Sequence, residues 1–301
     1  MSRHSGTPAT IQHITHSSAR VPPRAVTTGI GLLLALCAFA PHTAHAVDTP
    51  TQAASQFDIG LGVGGVRFPY YPGAAEQRTL LLPFPYVIYH SRYLDVNRDK
   101  VRGKLLSGKR LSLEVDFGGA VSVPSSDVSE RRGMPDLDWI GEAGPALRYR
   151  AWDNNAGNAR LDLVLPLRVA VSAHALSLHH RGYVFAPHLE LEYQIGEGTR
   201  AFNVGTSVTA LYGSRNYFQY IYGVAPQYAT AQRPAYAAPG GYGGYTLEAG
   251  GSLHRGDMVY GAFMSYTNLS GASFVNSPLV SRSDGMAFGV MLAWIFKRSN
   301  D

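Results

Sequence analysis

The chain has 301 residues, a formal net charge of +5, a single cysteine, 33 glycines and 18 tyrosines. No stretch after the N-terminal region approaches the ~18 unbroken apolar residues of a membrane-crossing helix, so a helical membrane protein is excluded. No basic face of the kind nucleic acid requires stands out, and nucleic acid is not an expected partner.

Residues 1–28 carry Arg3, Arg20 and Arg24 and no acid. The apolar run Gly29–Ala40 follows, then the small-x-small pattern Ala44-His45-Ala46. A charged start, a short apolar core and a small-residue exit predict a cleaved secretory signal peptide over 1–46. The core is too short to span a bilayer, which needs ~20 helical residues. The region before it is long for a signal, which puts the expected translation start downstream of Met1. Cleavage would remove three of the 26 basic side chains and none of the 21 acids, so most of the net charge belongs to the discarded segment. Cys37 lies inside the apolar core, and the mature chain is therefore expected to be free of thiols and disulfides.

Residues 47–56 read as a flexible leader, and a single domain is expected over 57–301. From Phe57 onward the chain alternates with a period of two, the signature of strands with unlike faces. Phe57, Ile59, Leu61 and Val63 oppose Asp58, Gly60, Gly62 and Gly64. Leu80–His90 puts Phe84, Tyr86 and Ile88 on one face, and a tight turn near Ser91 leads to a strand from Tyr93. Leu111, Leu113, Val115, Phe117 and Val121 oppose Ser112, Glu114, Asp116, Gly118 and Ala120. Trp139, Ala143, Leu147 and Tyr149 oppose Asp138, Glu142, Arg148 and Arg150. Leu161, Leu163, Leu165, Leu167, Val169 and Val171 oppose Arg160, Asp162, Arg168 and Ser172. Tyr183, Phe185, Leu189, Leu191, Tyr193 and Ile195 oppose His188, Glu190, Glu192 and Gln194. Further segments run over Phe202–Tyr212, Tyr245–Leu253 (with Glu248 on the polar side) and Met258–Tyr266. The last, Gly285–Phe296, sets Met286, Phe288, Val290, Leu292, Trp294 and Phe296 against mostly small residues.

About eleven segments approach the ~10-residue spanning length of an outer-membrane strand. Bacterial barrels have even strand numbers, so the prediction is an all-β, antiparallel transmembrane β-barrel of about 12 strands, with 10 as the fallback. A soluble β-sandwich is the rival fold, and it would need its apolar faces to pair off. Helical spacing is confined to a short loop turn at Tyr217–Tyr222. The breaker-rich connections are Pro124–Pro135, Asp153–Asn158, Gly213–Gly244 and Asn268–Ser283. With the last strand ending at the periplasm, Gly213–Gly244 and Asn268–Ser283 lie outside the cell.

Hydrocarbon penalises a basic side chain at mid-depth by about 2–4 kcal/mol. Glu114, Asp116, Glu142, Arg148, Arg150, Arg160, Arg168, His188, Glu190, Glu192 and Glu248 are therefore expected to point inward. There they would pair across strands and fill the lumen.

Two loop segments and the chain's end carry a resemblance. Tyr220-Ile221-Tyr222-Gly223-Val224 is followed by Gln232–Tyr236 and the glycine-rich Gly240–Tyr245, and later by Leu269–Val280, which contains Asn276-Ser277-Pro278-Leu279-Val280. With the terminal Ala293-Trp294-Ile295-Phe296, these resemble the MipA/OmpV family, the MltA-interacting proteins of Gram-negative outer membranes. The resemblance implies an outer-membrane location and a scaffold that holds a periplasmic lytic transglycosylase and a penicillin-binding protein for murein synthesis. Outer-membrane lipid, and the barrel-assembly machinery during insertion, are the other expected partners. The family offers no catalytic residues to carry over. Ser277-Pro278-Leu279 reads either as a loop-to-strand anchor or as a simple tight turn.

Enzymatic patterns are sparse. His188 shares a face with Glu190 and Glu192, but no serine on that face completes a nucleophile–base–acid set. His174, His179 and His180 cluster near a turn without regular zinc spacing. Gly240-Gly241-Tyr242-Gly243-Gly244 lacks the lysine and helix of a phosphate loop. The expectation is a non-enzyme without cofactor or metal. A narrow channel for small solutes is the first alternative and a barrel hydrolase the second.

Overall fold

A computed structural model describes residues 56–90, 94–96, 101–154, 156–174, 177–196 and 200–298. The expected signal peptide and nearly all of the expected leader lie outside these residues. Thirteen strand segments follow one another: β1 Gln56–Pro69, β2 Gln77–His90, β3 Leu94–Val96, β4 Val101–Ser107, β5 Leu111–Ala120, β6 Trp139–Asp153, β7 Ala159–His174, β8 Ser177–Phe185, β9 His188–Ile195, β10 Phe202–Gly213, β11 Gly241–Arg255, β12 Met258–Asn268 and β13 Asp284–Arg298. Among the described residues one α-helix, α1 Arg215–Tyr222, lies between β10 and β11, and three short 3-10 turns lie in the connections.

Each strand pairs antiparallel with its neighbours, and β13 closes on β1 through a register that runs from Asp58↔Arg298 to Arg67↔Phe288. β8 and β9 both lie between β7 and β10, end to end. They occupy one place in the wall, so the barrel has twelve strand positions. Closure removes the free sheet edges that hydrocarbon cannot solvate.

Alternation assigns the faces. Leu61, Leu167, Leu191, Phe288, Val290 and Trp294 stand exposed on the outside. Glu142, Asp162, Glu190 and Ala293, on the other face, are buried. On β13 the outward apolar row runs from Met286 to Phe296. At ~3.3 Å per residue and a tilt near 40°, this row spans about 25 Å of height, the apolar band of an outer-membrane barrel. Tyr149, Trp152, Tyr193, Phe202, Trp294 and Phe296 ring the end that carries the termini, while Tyr183, Phe185 and Tyr212 lie toward the other. Aromatic girdles at both interfaces mark this class of barrel.

β2 inverts the usual arrangement. Its lipid side is Leu81, Pro83, Pro85 and Val87, and its aromatic face turns inward, with Tyr86 fully buried. The glycines of β1 make this possible: a Cβ on Gly62 would come within 2.4 Å of the Phe84 ring. Tyr86, Val259, Ala293 and Ile295, with Phe84 and Met291, form an apolar cluster inside the barrel. The wall from β12 round to β2 is thus apolar on its inner side, and the wall from β5 to β11 is polar.

A seam crosses that second wall. β6–β7 pairing lapses between Ala143↔Val169 and Ala146↔Pro166. β7 changes partner from β8 to β9 between Leu167↔Phe185 and Val164↔His188, and β10 shows an irregularity between Ala210 and Tyr212. Pro145, Pro166 and Pro187, evenly spaced in sequence, sit along this line. A missing ladder bond normally strands an N–H in hydrocarbon at a cost of several kcal/mol. Proline has no N–H to strand. The carbonyls still find donors, since Ala186 N donates to Pro166 O at 3.3 Å and Ala210 N to Pro187 O at 3.0 Å. Beyond the seam the wall receives α1. Gly182, at φ +117°, faces Ser214 so closely that a Cβ would meet its Oγ at 2.1 Å.

Candidate functional site

The described lumen is filled at two levels. The level nearer the termini is ionic. Arg148 is its hub: Nη1 lies 2.9 Å from Asp162 Oδ2 and 3.5 Å from Glu190 Oε2, and Nε lies 3.2 Å from Glu114 Oε2. Arg150 Nε reaches Asp162 Oδ1 at 3.3 Å. Arg160 bridges Asp162 and Glu192. These groups project from β5, β6, β7 and β9, whose cross-strand partners Ser112↔Arg148, Arg150↔Asp162 and Asp162↔Glu190 set the pairing. Asp162, Glu190 and Glu192 are each 1% exposed, as is Tyr86 on the opposite wall, and Val259 is 0% exposed. These side chains are enclosed, while Arg150 and Arg160 beside them keep 28% and 13% of their side-chain surface.

The second level joins the wall to a cap. Arg168 Nε lies 3.3 Å from Asp116 Oδ1, and its Nη1 lies 3.1 Å from Glu142 Oε2. Tyr217 of α1 donates to Glu142 Oε1 at 2.9 Å. Glu248 accepts from Ser207 at 3.3 Å across β10 and β11.

Above this level four connections fold inward together: 70–76, 121–138, 214–240 and 269–283. Tyr71, Val123, Val128, Leu137, Phe218, Tyr222, Leu269 and Phe274 share one buried cluster. The Tyr222 and Phe274 rings stack at 3.7 Å and 9°, and Phe218 meets Phe274 edge-on at 4.5 Å. A helix leaves its last carbonyls without partners. Here Arg131 Nη1 donates to Ile221 O at 3.0 Å, and Ser277 Oγ donates to Tyr222 O at 2.7 Å. The buried Arg131 cation at the helix C-terminus also complements the helix dipole. Tyr222 donates to Pro72 O at 2.9 Å and Tyr71 to Leu279 O at 2.8 Å. Burial pushes both phenol groups above the ordinary tyrosine range, so they remain neutral donors.

The two loop motifs therefore meet. Gly223 lies against Gln219 so closely that a Cβ would come within 2.0 Å of the amide, and Val224 pairs with Tyr236. Ser277 to Val280 is a hydrogen-bonded turn, with Val280 N donating to Ser277 O at 3.0 Å. The same turn is also an anchor, because Ser277 holds Tyr222, and Leu279 is fully buried with Pro278 half-buried beside it. Trp294 and Phe296 pack edge-to-face on the lipid side at 5.9 Å.

His188 sits beside the ionic level. Its Nδ1 lies 3.0 Å from Ala186 O and its Nε2 lies 3.5 Å from Glu190 Oε2. His174 meets Asp138 at 2.7 Å on the exposed rim, while His179 and His180 are exposed nearby. Among the described residues, no group of three His, Cys, Asp or Glu side chains is placed to hold a metal ion. Gly240–Gly244 leads into β11, with positive φ at Gly241 and Gly244. Two participants lie outside the expected lumen network. Alternation puts Asp162 on the polar face with Arg160 and Arg168, and the structure adds it to the network. Tyr217 falls in the helical spacing of Tyr217–Tyr222, which predicts a turn but gives no sign of its contact with Glu142.

The family model described as "MltA-interacting protein MipA" matches residues 61–296. The chain belongs to the MltA-interacting protein family. It is an outer-membrane β-barrel. No curated protein sequence matches it. Among solved structures it is similar to a bacterial polysaccharide outer membrane secretin, with 8% identity, a TM-score of 0.41 and coverage of 82% of this chain and 100% of that one. It is also similar to the NanC porin, with 10% identity, a TM-score of 0.39 and coverage of 78% and 98%. Pseudomonas putida OprB shows 9% identity, a TM-score of 0.31 and coverage of 80% and 94%.

Proposed function

We propose that this MltA-interacting protein family member is a non-enzymatic scaffold of the outer membrane that anchors periplasmic murein-remodelling enzymes, a lytic transglycosylase and a penicillin-binding protein. In this reading a signal peptide over 1–46 exports the chain, 47–56 is a leader, and 57–301 forms the barrel. The observation that carries it is the filled lumen. A conducting barrel needs a wetted path, whereas among the described residues Asp162, Glu190, Glu192, Tyr86 and Val259 are buried in the lumen. A barrel without such a path offers its periplasmic turns as its means of acting inside the cell. The family description, an MltA-interacting protein, supports the lytic transglycosylase as partner, and the penicillin-binding protein is proposed from the resemblance alone.

The test is crosslinking in intact cells, followed by identification of the attached periplasmic proteins. Recovery of a lytic transglycosylase or a penicillin-binding protein is expected, and recovery of neither removes the reading. Planar-bilayer recordings address the channel alternative, since steady single-channel currents from the purified barrel would favour transport. Substitution of His188 by alanine, assayed with lipid and peptide substrates, addresses the hydrolase alternative.

A further inference from the structure

We propose that the cationic rim at the terminus-bearing end of the barrel binds anionic phospholipid headgroups of the periplasmic leaflet. Lys109 and Arg110 occupy the turn between β4 and β5, Arg200 leads into β10, and Arg255 ends β11. All four are exposed. Among the described residues none of them has a side-chain partner. Arg298, on the same rim, is engaged by Asp257 at 2.7 Å and by Gly256 O at 2.9 Å. The one exposed acid on this rim without a partner among the described residues is Asp153. At the opposite end many charges are tied into the cap: Glu76 accepts from Ser129, Asp136 from Ser125 N, and Arg131 and Arg233 donate to carbonyls, while Arg132, Arg215 and Arg282 stand exposed.

Depth selects the ligand. Arg110 adjoins Leu111, Arg200 lies two residues before Phe202, and Arg255 lies two residues after Leu253. These three apolar side chains are 50%, 40% and 43% exposed on the lipid face. Two strand residues cover about 7 Å. The cations therefore stand where the apolar band ends and the phosphates begin. The turns at Gly108–Arg110 and Gly256–Asp257 are too short to carry a charge far below that plane. Four unneutralised cations at phosphate depth favour a headgroup with net negative charge over a zwitterionic one, and the preference is screened by salt. An acidic protein face would have to reach into the headgroup layer to meet the same side chains. The inference is independent of the scaffold reading.

The test uses the purified full chain in detergent with equal amounts of phosphatidylglycerol and phosphatidylethanolamine, and native mass spectrometry counts the retained lipid. The wild type is expected to retain phosphatidylglycerol over phosphatidylethanolamine by about five-fold or more. The K109Q/R110Q/R200Q/R255Q variant should fall to near parity, and the outer-end control R67Q/R282Q should keep the preference. Heat-modifiable gel migration reports whether each variant is folded. If the quadruple variant is not, the same comparison is made with R200Q and R255Q singly, and on the wild type at about 0.5 M salt, where the preference should shrink. Equal retention of both lipids by the wild type overturns the proposal. So does a preference that survives the quadruple substitution, or one that only the outer-end control removes. If the quadruple variant keeps its lipid preference but loses crosslinked periplasmic protein in cells, the rim belongs to an acidic protein and the proposal fails.

Discussion

Replacing Arg148 with methionine tests the ionic level most directly. The methionine retains much of the volume and removes the charge. Arg148 is buried, with 8% side-chain exposure, and faces Asp162, Glu114 and Glu190 within 3.5 Å. Two of these contacts are charge-assisted hydrogen bonds at 2.9 and 3.2 Å. Each is worth about 1.5–3 kcal/mol when a charged partner is involved. Removing one partner of a buried ionic group costs about 3–5 kcal/mol, because the other charges stay behind uncompensated. A loss of about 4 kcal/mol is therefore expected. At a urea slope of about 2–3 kcal/mol per molar, it moves the unfolding midpoint down by about 1–2 M. The assay is urea unfolding of the reconstituted barrel, followed by tryptophan fluorescence and gel migration. Adding Asp162→Asn should recover part of the loss, since it lowers the excess of acid, and the double-mutant cycle isolates that coupling. A loss under about 1 kcal/mol, or strict additivity with Asp162→Asn, would refute the argument that these groups stand in a dry, interdependent network.

Other outcomes follow from the cap and the apolar wall. Ser277→Ala leaves Tyr222 O without its donor and should cost about 1–2 kcal/mol locally. Limited proteolysis within 214–240 should quicken while the barrel's heat-modifiable migration is unchanged. Gly62→Val places side-chain atoms into the Phe84 ring and should destabilise the barrel by about 1–3 kcal/mol in urea titration, with Phe84→Ala restoring part of it. The Tyr71 and Tyr222 hydroxyls lie above their ordinary value in the folded state because burial disfavours the phenolate. Their contribution is therefore fully present below the ordinary tyrosine value and is lost as pH rises past ~10. Cap proteolysis measured from pH 7 to 11 should stay flat and then climb. A cap that opens instead between pH 5 and 7 would contradict that assignment.

What could be read from the sequence follows from where periodicity exists. β7, β9 and β13 alternate without interruption, and residues such as Leu191 and Glu190 fall on opposite faces by that rule alone. Counting eleven segments left one strand position unfound. It is β4, Val101–Ser107, which sits in a stretch of closely spaced Arg and Lys and has too little apolar contrast to register. β2 failed differently. Leu-Pro-Phe-Pro-Tyr is apolar on both faces, so alternation separates the faces without saying which is inside. The glycines of the neighbouring β1 decide that, and they do so across a strand boundary. Apart from the helical spacing at Tyr217–Tyr222, the cap has no period. Its contacts join 70–76, 121–138, 214–240 and 269–283 and depend on the closed barrel to bring those segments together. The family-like motifs marked the right residues there, but their mutual contact, Ser277 to Tyr222, is visible only in three dimensions.

The cap also bears on the order of assembly. Its hydrogen bonds link residues as remote as Tyr71 and Leu279, 208 positions apart. Contacts of such sequence separation pay the largest loop-closure cost when made early. Every hairpin that contributes to the cap belongs to the cylinder, and the first and last of them become neighbours only when β13 zips onto β1. The mouth must therefore acquire its shape after the wall has sealed. An insertion intermediate with a complete wall should still present an unstoppered, protease-sensitive entrance.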